Sequence, residues 1–519
     1  MRARGAAATA VLAVLALAPA ALILWPRLPP FHEDEILPLV PLIPALKRPD
    51  AYGAAFLANR HVDLFGFPVA LVSYAVEGPL KALCYAIVLP LTRTFYRPEL
   101  LIGAYRVSNL LWAWVLFAAI LAACRRLSGW WAVLLCLALL VPDHGLVYLA
   151  VTDMGRPNSL TLSLLLLLAI CAHADRPHWG TAVTVALVAF VGTWTRLDFV
   201  WFVGAGIGAS LVADVCLRRF ATLPVLVGCV VGVAMLLPIV PQYFVQAAQG
   251  ASLPLTDVAR LRQHLADLLL LVDPWGTYRR HFDVSAHLLN PPYVAYRRAY
   301  VALCVLVPAA LGVLAMRRRR PAHVVLAAFP ALLLAAIVHT EQSYEVHHMA
   351  TLKPALYVAA SVLAAELARM RWARVPVLAA WAGLALGALW IHARAFTDLA
   401  TAPPPRGQYW GVTWNMSDAW QAGARSPANV VFAADFGAWL PGALSSPADQ
   451  RWESASIPDE ATLDREMAGP DVVGFVFLAD GPSGWLLATE RYAVAERRIF
   501  DRHPGDRWGF VALRRTAPK

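Results

Sequence analysis

Long apolar runs recur along the first four-fifths of the chain and become rare after residue 400. A membrane-spanning helix needs about 20 mostly apolar residues, with roughly 17–25 observed. Eleven stretches approach this length, so the pattern predicts about 11 membrane-spanning helices. The predicted spans are 6–25, 101–124, 130–149, 157–173, 181–195, 197–216, 222–244, 299–316, 322–339, 351–368 and 375–393.

The composition agrees with a polytopic membrane protein. The 519 residues are 59% apolar and 15% charged, and the mean hydropathy is +0.57. Ordinary soluble domains carry roughly 25% charged residues. A chain of this length with so few charges cannot cover itself with polar surface, which excludes soluble globular, disordered and collagen-like proteins. The seven cysteines lie in or beside apolar runs without metal-binding spacing, so buried thiols are expected.

The distribution of basic residues predicts the orientation. Arg2 and Arg4 precede the first apolar run, and short cytoplasmic segments carry an excess of Lys and Arg. If the N-terminus is cytoplasmic, alternating the spans places five further groups of arginines on the cytoplasmic side: Arg125-Arg126, Arg176, Arg218-Arg219, Arg317 to Arg320, and Arg369, Arg371 and Arg374. The basic start also resembles a secretory signal peptide, but its long apolar run favours an uncleaved anchor. We therefore expect a multi-pass protein of the cell (plasma or inner) membrane.

Three regions are predicted to lie outside the membrane, on the extracytoplasmic side. They are a first loop over 26–100, a second loop over 246–298 and a tail over 394–519, which leaves 1–393 as the transmembrane domain. The apolar piece Pro79–Leu91 is too short to span and is predicted to be an interfacial helix in the first loop.

The tail has the pattern of a small α/β domain. Short apolar runs at 429–434, 471–478 and 508–513 predict strands, and Ile457–Met467 predicts a helix between them. The fold class predicted for the whole chain is therefore mostly α, a polytopic bundle of membrane helices with a small extracytoplasmic α/β domain at the C-terminus.

Three consecutive acids, Glu33, Asp34 and Glu35, follow directly after the first span. Neighbouring carboxylates repel one another, so the pKa of at least one is expected to be raised. Such a carboxylate suits a general base at the outer face of the membrane. The alternative is an acidic patch at the N-terminus of a loop helix, where negative charge is favoured.

Two groups of charged residues interrupt apolar sequence and are candidate phosphate ligands. Arg156, at the outer end of the fourth span, either binds substrate together with Asp153 or snorkels to the surface while paired with it. Arg196 and Asp198 break a long apolar run, and ionisable residues at such breaks usually line a cavity. The alternative for these two residues is an ion pair with each other inside a short turn.

Three further candidates lie in outer segments. Arg280 follows aromatic residues in the second outer loop, which suits a lipid phosphate at headgroup level or, alternatively, an ordinary interfacial belt. His348 and Lys353 flank the outer end of another span, where either could contact a phosphate. The side chains of His347 and His348 would point in different directions on a helix, so we do not expect them to bind one metal ion together.

Five short stretches, in order, resemble the C-type glycosyltransferases, in particular the protein-mannosyltransferase and aminoarabinose-transferase branch. These are polytopic membrane enzymes that use lipid-phosphate-linked sugars. Asp34-Glu35 stands where the branch has its Asp-Glu motif. The other stretches are Glu77-Gly78-Pro79-Leu80 for His-Pro-Pro-Leu, Ala104 to Asn109 for the opening of the second span, Gly155 to Leu160 for the fourth, and Met349 to Leu356 for a late span. The resemblance covers roughly residues 1–370, and the His and first Pro of the second motif are absent here.

The resemblance implies an inverting glycosyltransferase. Asp34 would take a proton from an acceptor hydroxyl or amine, which attacks the anomeric carbon of a polyprenyl-phosphate sugar, while Glu35 and Glu33 would orient Asp34 or bind the acceptor. Cations such as Arg156 would hold the phosphate. The expected partners are the polyprenyl-phosphate-linked sugar donor, an unknown acceptor and the lipid bilayer, with no nucleic acid. No cofactor is expected, and the motif His32 to Glu35 leaves a divalent metal open.

Two other classes compete with this interpretation. A transporter or lipid flippase would place its essential charges at mid-membrane, although the chain shows no internal repeat of useful length. A non-catalytic envelope assembly protein would use the tail to bind partners. A cytoplasmic nucleotide-sugar enzyme is not supported, because no Gly-rich phosphate-binding motif follows a predicted strand.

Overall fold

A computed structural model of the chain describes residues 2–24, 61–64, 67–70, 80–81, 84, 98–152, 156–238, 291–338, 350–401, 414–502 and 506–515. Helices dominate these ranges. Two compact units can be distinguished: Met1–Arg27, Asn109–Arg280 and Val284–Thr401 form one, and Leu28–Ser108, His281–Asp283 and Ala402–Lys519 form the other. The domain limits predicted from the sequence stay predictions.

Each predicted membrane span overlaps at least one helix in the described part of the chain. The helices up to residue 401 are α1 (Arg2–Leu24), α2 (Pro98–Ser128), α3 (Trp130–Leu140), α4 (His144–Val151), α5 (Pro157–Asp175), α6 (Gly180–Thr195), α7 (Val200–Leu217), α8 (Thr222–Ala234), α9 (Pro291–Arg317), α10 (Pro321–Val338), α11 (Lys353–Ala368) and α12 (Arg371–Thr401). Within the described ranges, five helices are long and apolar enough to cross a membrane, and α3 with α4 makes a sixth. Four further apolar helices are shorter. The protein is a multi-pass membrane protein.

One predicted span is not a continuous helix. The stretch 130–149 divides into α3 and α4, which meet at an angle of 75°. Pro142 lies in the break and has no backbone N–H to continue the helix. Asp143 then begins the second piece, because its side chain accepts a hydrogen bond at 3.0 Å from the backbone N–H of Leu146. The bend therefore places a carboxylate inside an apolar segment.

The loop predicted over 26–100 is described only in part. Two short strands, β1 (His61–Leu64) and β2 (Phe67–Ala70), pair antiparallel. The predicted interfacial helix over Pro79–Leu91 lies almost wholly outside the described residues.

Small residues bring α6 and α8 into close contact. A Cβ added at Gly228 would lie 2.6 Å from the carbonyl oxygen of Ala182, and one at Gly232 would lie 2.4 Å from that of Ala186. Glycines four residues apart let helix backbones approach closely, which is a common basis of helix association in membranes. These two positions therefore fix the spacing between α6 and α8.

We call the unit that contains Asn109–Arg280 and Val284–Thr401 the membrane unit. We expect Gly232→Ala to destabilise it by about 1–3 kcal/mol, because even one methyl group forces the two backbones apart. Gly204→Ala in α7 is the matched control, since nothing lies within 4 Å of an added Cβ there. Thermal unfolding of both variants in detergent measures the effect. Equal melting temperatures for the two variants would contradict the proposed role of the glycine contact.

The C-terminal region forms a five-stranded mixed sheet. Its helices are α13 (Trp414–Arg425), α14 (Phe436–Ser445) and α15 (Glu460–Glu466), and its strands are β3 (Val430–Ala433), β4 (Arg451–Ser454), β5 (Val472–Leu478), β6 (Ala493–Phe500) and β7 (Trp508–Arg514). The strand order is β4-β3-β5-β7-β6. Strands β4, β3 and β5 are parallel, whereas β7 pairs antiparallel with β5 and β6. This confirms the predicted small α/β domain.

Both faces of the sheet are covered. Trp420 of α13 and Trp439 of α14 pack with Val431 on one face. Leu463 of α15 packs with Phe432 on the other face. Successive residues of β3 thus enter different cores, as the period of two along a strand requires.

The strand β6 forms one edge of the sheet and is mostly exposed. Glu496 and Arg498 form an ion pair at 2.5 Å on this strand. The pairing of β6 with β7 is irregular between Val494 and Glu496. The edge is therefore charged and interrupted.

Candidate active site

The contacts of Glu366 show which helix ends share one face of the membrane unit. Its buried carboxylate accepts hydrogen bonds from Ser128 at 2.6 Å, Arg318 at 2.5 Å, Arg320 at 3.1 Å, and Arg369. These residues belong to the turns α2–α3, α9–α10 and α11–α12, so the three turns lie together. We call this end of the unit the arginine face. The first residues of α11 must lie towards the opposite end.

Asp175, at the end of α5, accepts a hydrogen bond at 3.2 Å from the backbone N–H of Ala322, which follows the turn α9–α10. The start of α5 therefore lies towards the opposite end, and a first charged cluster lies there, between the start of α5 and the end of α6. The Nε of Arg196 donates to Oδ2 of Asp198 at 2.6 Å, and Nη1 of Arg156 lies 3.4 Å from the same oxygen. The side chain of Arg196 is 8% exposed, whereas those of Arg156 and Asp198 are each 21% exposed. In this cluster two guanidinium groups share one carboxylate.

The backbone of Arg156 is strained. Its φ of 45° and ψ of 61° place it in the left-handed region, which a bulky L-residue rarely adopts. The following Pro157 further restricts its conformation. Strain of this kind costs on the order of 1–3 kcal/mol and clusters at functional sites. The position therefore carries arginine despite a backbone that favours glycine.

A second charged cluster joins α4 to α11. The Nζ of Lys353 donates to the two carboxylate oxygens of Asp143 at 2.9 and 3.2 Å, and the hydroxyl of Tyr357 donates to the same carboxylate. All three side chains are buried. The ammonium of Lys353 and the carboxylate of Asp143 therefore contact each other away from solvent.

The two clusters differ in what they can do chemically. In the first, the side chains of Arg156 and Asp198 are each 21% exposed, so an anionic group can approach the guanidinium of Arg156. In the second, a phosphate would have to displace or share the buried partner of Lys353. The first cluster is therefore the more accessible of the two to an anion. No group of three or more potential metal ligands occurs in the described part of the chain.

The structure brings together only some of the predicted site residues. Arg156, Arg196 and Asp198 form one cluster, and the predicted alternative of an Arg196–Asp198 ion pair is present within it. Lys353 lies in the other cluster. The remaining predicted site residues lie outside the described residues: Glu33, Asp34, Glu35, Asp153, Arg280 and His348.

Asp143 is not among the residues predicted to form the site. The residue falls inside the predicted span 130–149, and the signal that reveals it is the polar run Pro142-Asp143-His144 inside an apolar stretch. Ionisable residues within membrane segments usually pair with one another, because an unpaired charge there is expensive. Asp143 is the carboxylate that allows Lys353 to be buried.

Comparison with known proteins supports the fold. No family model matches the chain, and no curated protein matches it. The solved structure of ArnT from Cupriavidus metallidurans in the apo state is similar, with a TM-score of 0.54 and 13% identity over 96% of this chain and 97% of that chain. The same protein bound to undecaprenyl phosphate gives a TM-score of 0.53 and 12% identity over the same shares. ArnT is an aminoarabinose transferase of the C-type glycosyltransferase class, so the resemblance found in the short motifs is confirmed at the level of the fold.

Proposed function

We propose that this protein transfers a sugar from a polyprenyl-phosphate donor to an acceptor at the extracytoplasmic face of the membrane, with inversion at the anomeric carbon. The observation that carries the proposal is the fold, which follows ArnT over nearly the full length of both chains. One of the ArnT structures holds undecaprenyl phosphate, which supports a lipid-phosphate donor for this chain. The face opposite the arginine face would then be the extracytoplasmic one.

The proposed reaction is a single displacement. Asp34 accepts a proton from the acceptor hydroxyl or amine, and the acceptor atom forms a bond to the anomeric carbon of the sugar. The bond between that carbon and the phosphate oxygen breaks, and polyprenyl phosphate leaves with the electron pair. Glu35 and Glu33 are proposed to orient Asp34 or to bind the acceptor.

The first charged cluster is proposed to hold the donor phosphate. Arg196 lies 2.6 Å from Asp198, whereas Arg156 makes the longer contact of 3.4 Å. The shorter pair fixes the carboxylate, and the carboxylate in turn orients the guanidinium of Arg156. A positioned cation stabilises the negative charge that develops on the leaving phosphate. Asp153, Arg280 and His348 are proposed as further donor ligands from the sequence.

The direct test is an assay of the purified full-length protein with a polyprenyl-phosphate sugar and an extract of envelope components as acceptors. We expect release of polyprenyl phosphate coupled to formation of a glycosylated product. A protein that moves the intact donor across a vesicle membrane without cleaving it would instead be a flippase. That result would overturn the proposal.

Arg156→Ala is expected to raise the KM for the donor about tenfold to a hundredfold, because a hydrogen bond to a charged group contributes roughly 1.5–3 kcal/mol. Arg156→Gly should show the same loss of affinity without loss of stability, since glycine tolerates the left-handed backbone. Donor titrations and thermal unfolding of the two variants provide the measurement. Unchanged donor affinity in both variants would assign Arg156 a structural role.

A further inference from the structure

An apolar groove lies between α9 and α10 and opens beside α7. Its volume is about 480 Å³, and its lining includes Val305, Met316, Ala331 and Leu334. From Val305 to Met316 the helix rises about 16 Å at 1.5 Å per residue. This length is close to the depth of one leaflet, because the hydrocarbon core is about 30 Å thick.

The groove ends at the arginine face. Met316 and Val324 line it, and the loop Arg317–Arg320 joins the two helices to which they belong. Cys216, near the end of α7, lines the same groove and is followed by Arg218 and Arg219. Arginines from two different helix ends therefore lie at one end of a single apolar groove.

Only two of the four arginines in the segment Arg317–Arg320 hold the loop between α9 and α10 in place. Arg318 and Arg320 donate to the buried carboxylate of Glu366 at 2.5 and 3.1 Å. Arg317 and Arg319 are exposed and form no ion pair or side-chain hydrogen bond within the described part of the chain. Since Arg369 also contacts Glu366, the cations around this carboxylate exceed its charge even before Arg317 and Arg319 are counted.

Two of these helix ends place arginine where glycine is usual. Arg218 ends α7 with a φ of 55°, and Arg319 follows α9 with a φ of 51°. The backbone N–H of Arg219 bonds to the carbonyl of Asp214 at 2.8 Å, and that of Arg320 bonds to Ala315 at 2.9 Å. This is the geometry of a left-handed helix cap, which strongly favours glycine. Both positions thus carry arginine, close in sequence to groove-lining residues, on a backbone conformation that favours glycine.

We propose that this groove binds an anionic phospholipid of the leaflet at the arginine face, separately from the sugar donor. One acyl chain lies between α9 and α10, and the headgroup phosphate lies against Arg317 and Arg319, with Arg218 and Arg219 nearby. Basic pockets between membrane helices on the cytoplasmic side suit anionic lipid headgroups. The site is distinct from the first charged cluster, which lies towards the other end of α5, about 28 Å along that helix.

The test is retention of phosphatidylglycerol by the purified full-length protein, measured by native mass spectrometry against phosphatidylcholine. Removing two arginines near a lipid headgroup should weaken phosphatidylglycerol binding about thirtyfold in the double variant Arg317→Gln/Arg319→Gln. The matched control is Arg176→Gln/Arg371→Gln. It also removes two positive charges, from exposed arginines that are predicted to lie on the same side of the membrane as Arg317 and Arg319. Equal losses in the two double variants would overturn the site, because they would show only a general attraction between charges.

A second experiment tests whether the acyl chain binds in the groove. Ala331 is exposed and lines the groove, so Ala331→Trp should fill it without disturbing the core and should release phosphatidylglycerol. Inorganic phosphate alone should not compete with the lipid at equal concentration. Full competition by inorganic phosphate, or full retention of the lipid by Ala331→Trp, would show a phosphate site without a lipid chain and would overturn the proposal.

Discussion

Asp34→Asn is expected to reduce sugar transfer about a hundredfold to ten-thousandfold, because a positioned general base contributes roughly that factor. Asparagine keeps the size of the side chain but cannot accept the proton of the acceptor. The KM for the donor should stay close to that of the unchanged protein, since the phosphate is proposed to bind to other residues. Steady-state assays with a purified polyprenyl-phosphate sugar measure both quantities.

The control for this variant is Asp449→Asn in the C-terminal sheet domain. Asp449 is exposed, and the same chemical change there should leave transfer unaltered. Near-normal turnover of Asp34→Asn would reject the assignment of this carboxylate as the base. A matching loss in Asp449→Asn would instead point to a defect in folding or membrane insertion.

Asp143→Ala is expected to destabilise the membrane unit by about 3–5 kcal/mol. The substitution leaves the buried ammonium of Lys353 without its carboxylate, and an uncompensated buried charge is strongly unfavourable. It also removes the acceptor that begins α4 and the partner of Tyr357. Thermal unfolding in detergent should therefore show a much lower melting temperature than for the unchanged protein.

The double variant Asp143→Leu/Lys353→Met separates a structural role from a functional one. Replacing both partners of a buried ion pair by apolar side chains is often neutral or stabilising, so the double variant should regain most of the lost stability. If Lys353 also contacts the donor phosphate, this stable variant should have a raised KM for the donor. Restored stability with an unchanged KM would restrict Lys353 to a structural role.

The helices of the membrane unit were predictable because a chain this poor in charge cannot bury so many apolar runs of about 20 residues inside a water-soluble fold. The break at Pro142 was not predicted, since the apolar residues on both sides satisfy the length of one span. Similarly, β4 and β6 were missed. The first contains a single apolar residue, Trp452, and the second is exposed along most of its length, so neither carries the apolar pattern that marked β3, β5 and β7.

The predicted helix over Ile457–Met467 exists but starts later. It begins at Glu460, because the side chain of Asp459 accepts a hydrogen bond at 2.8 Å from the backbone N–H of Thr462. Such a cap lies outside the helix it starts. The apolar pattern located the element, and the position of its first residue depended on this one side chain.

The Arg196–Asp198 ion pair was a predicted alternative, but the contact of Arg156 with Asp198 and the pair of Lys353 with Asp143 were not predicted. Breaks in the apolar pattern identified four candidates, Arg156, Arg196, Asp198 and Lys353. An ionisable residue in a membrane segment is energetically costly and is usually either paired or functional. Their partners come from distant positions: Asp198 lies 42 residues after Arg156, and Asp143 lies 210 residues before Lys353. Contacts of this range depend on how helices pack, which no local pattern in one sequence specifies.

The exposed edge strand β6 also affects how the C-terminal domain can interact with other polypeptide chains. A regular, uncharged edge offers its free backbone groups to any extended peptide, which leads to aggregation or to strand exchange. Here the charges of Glu496 and Arg498 and the irregular pairing beside Val494 make such an addition unfavourable. Any specific ligand of this domain is therefore expected to bind through side chains rather than by extending the sheet.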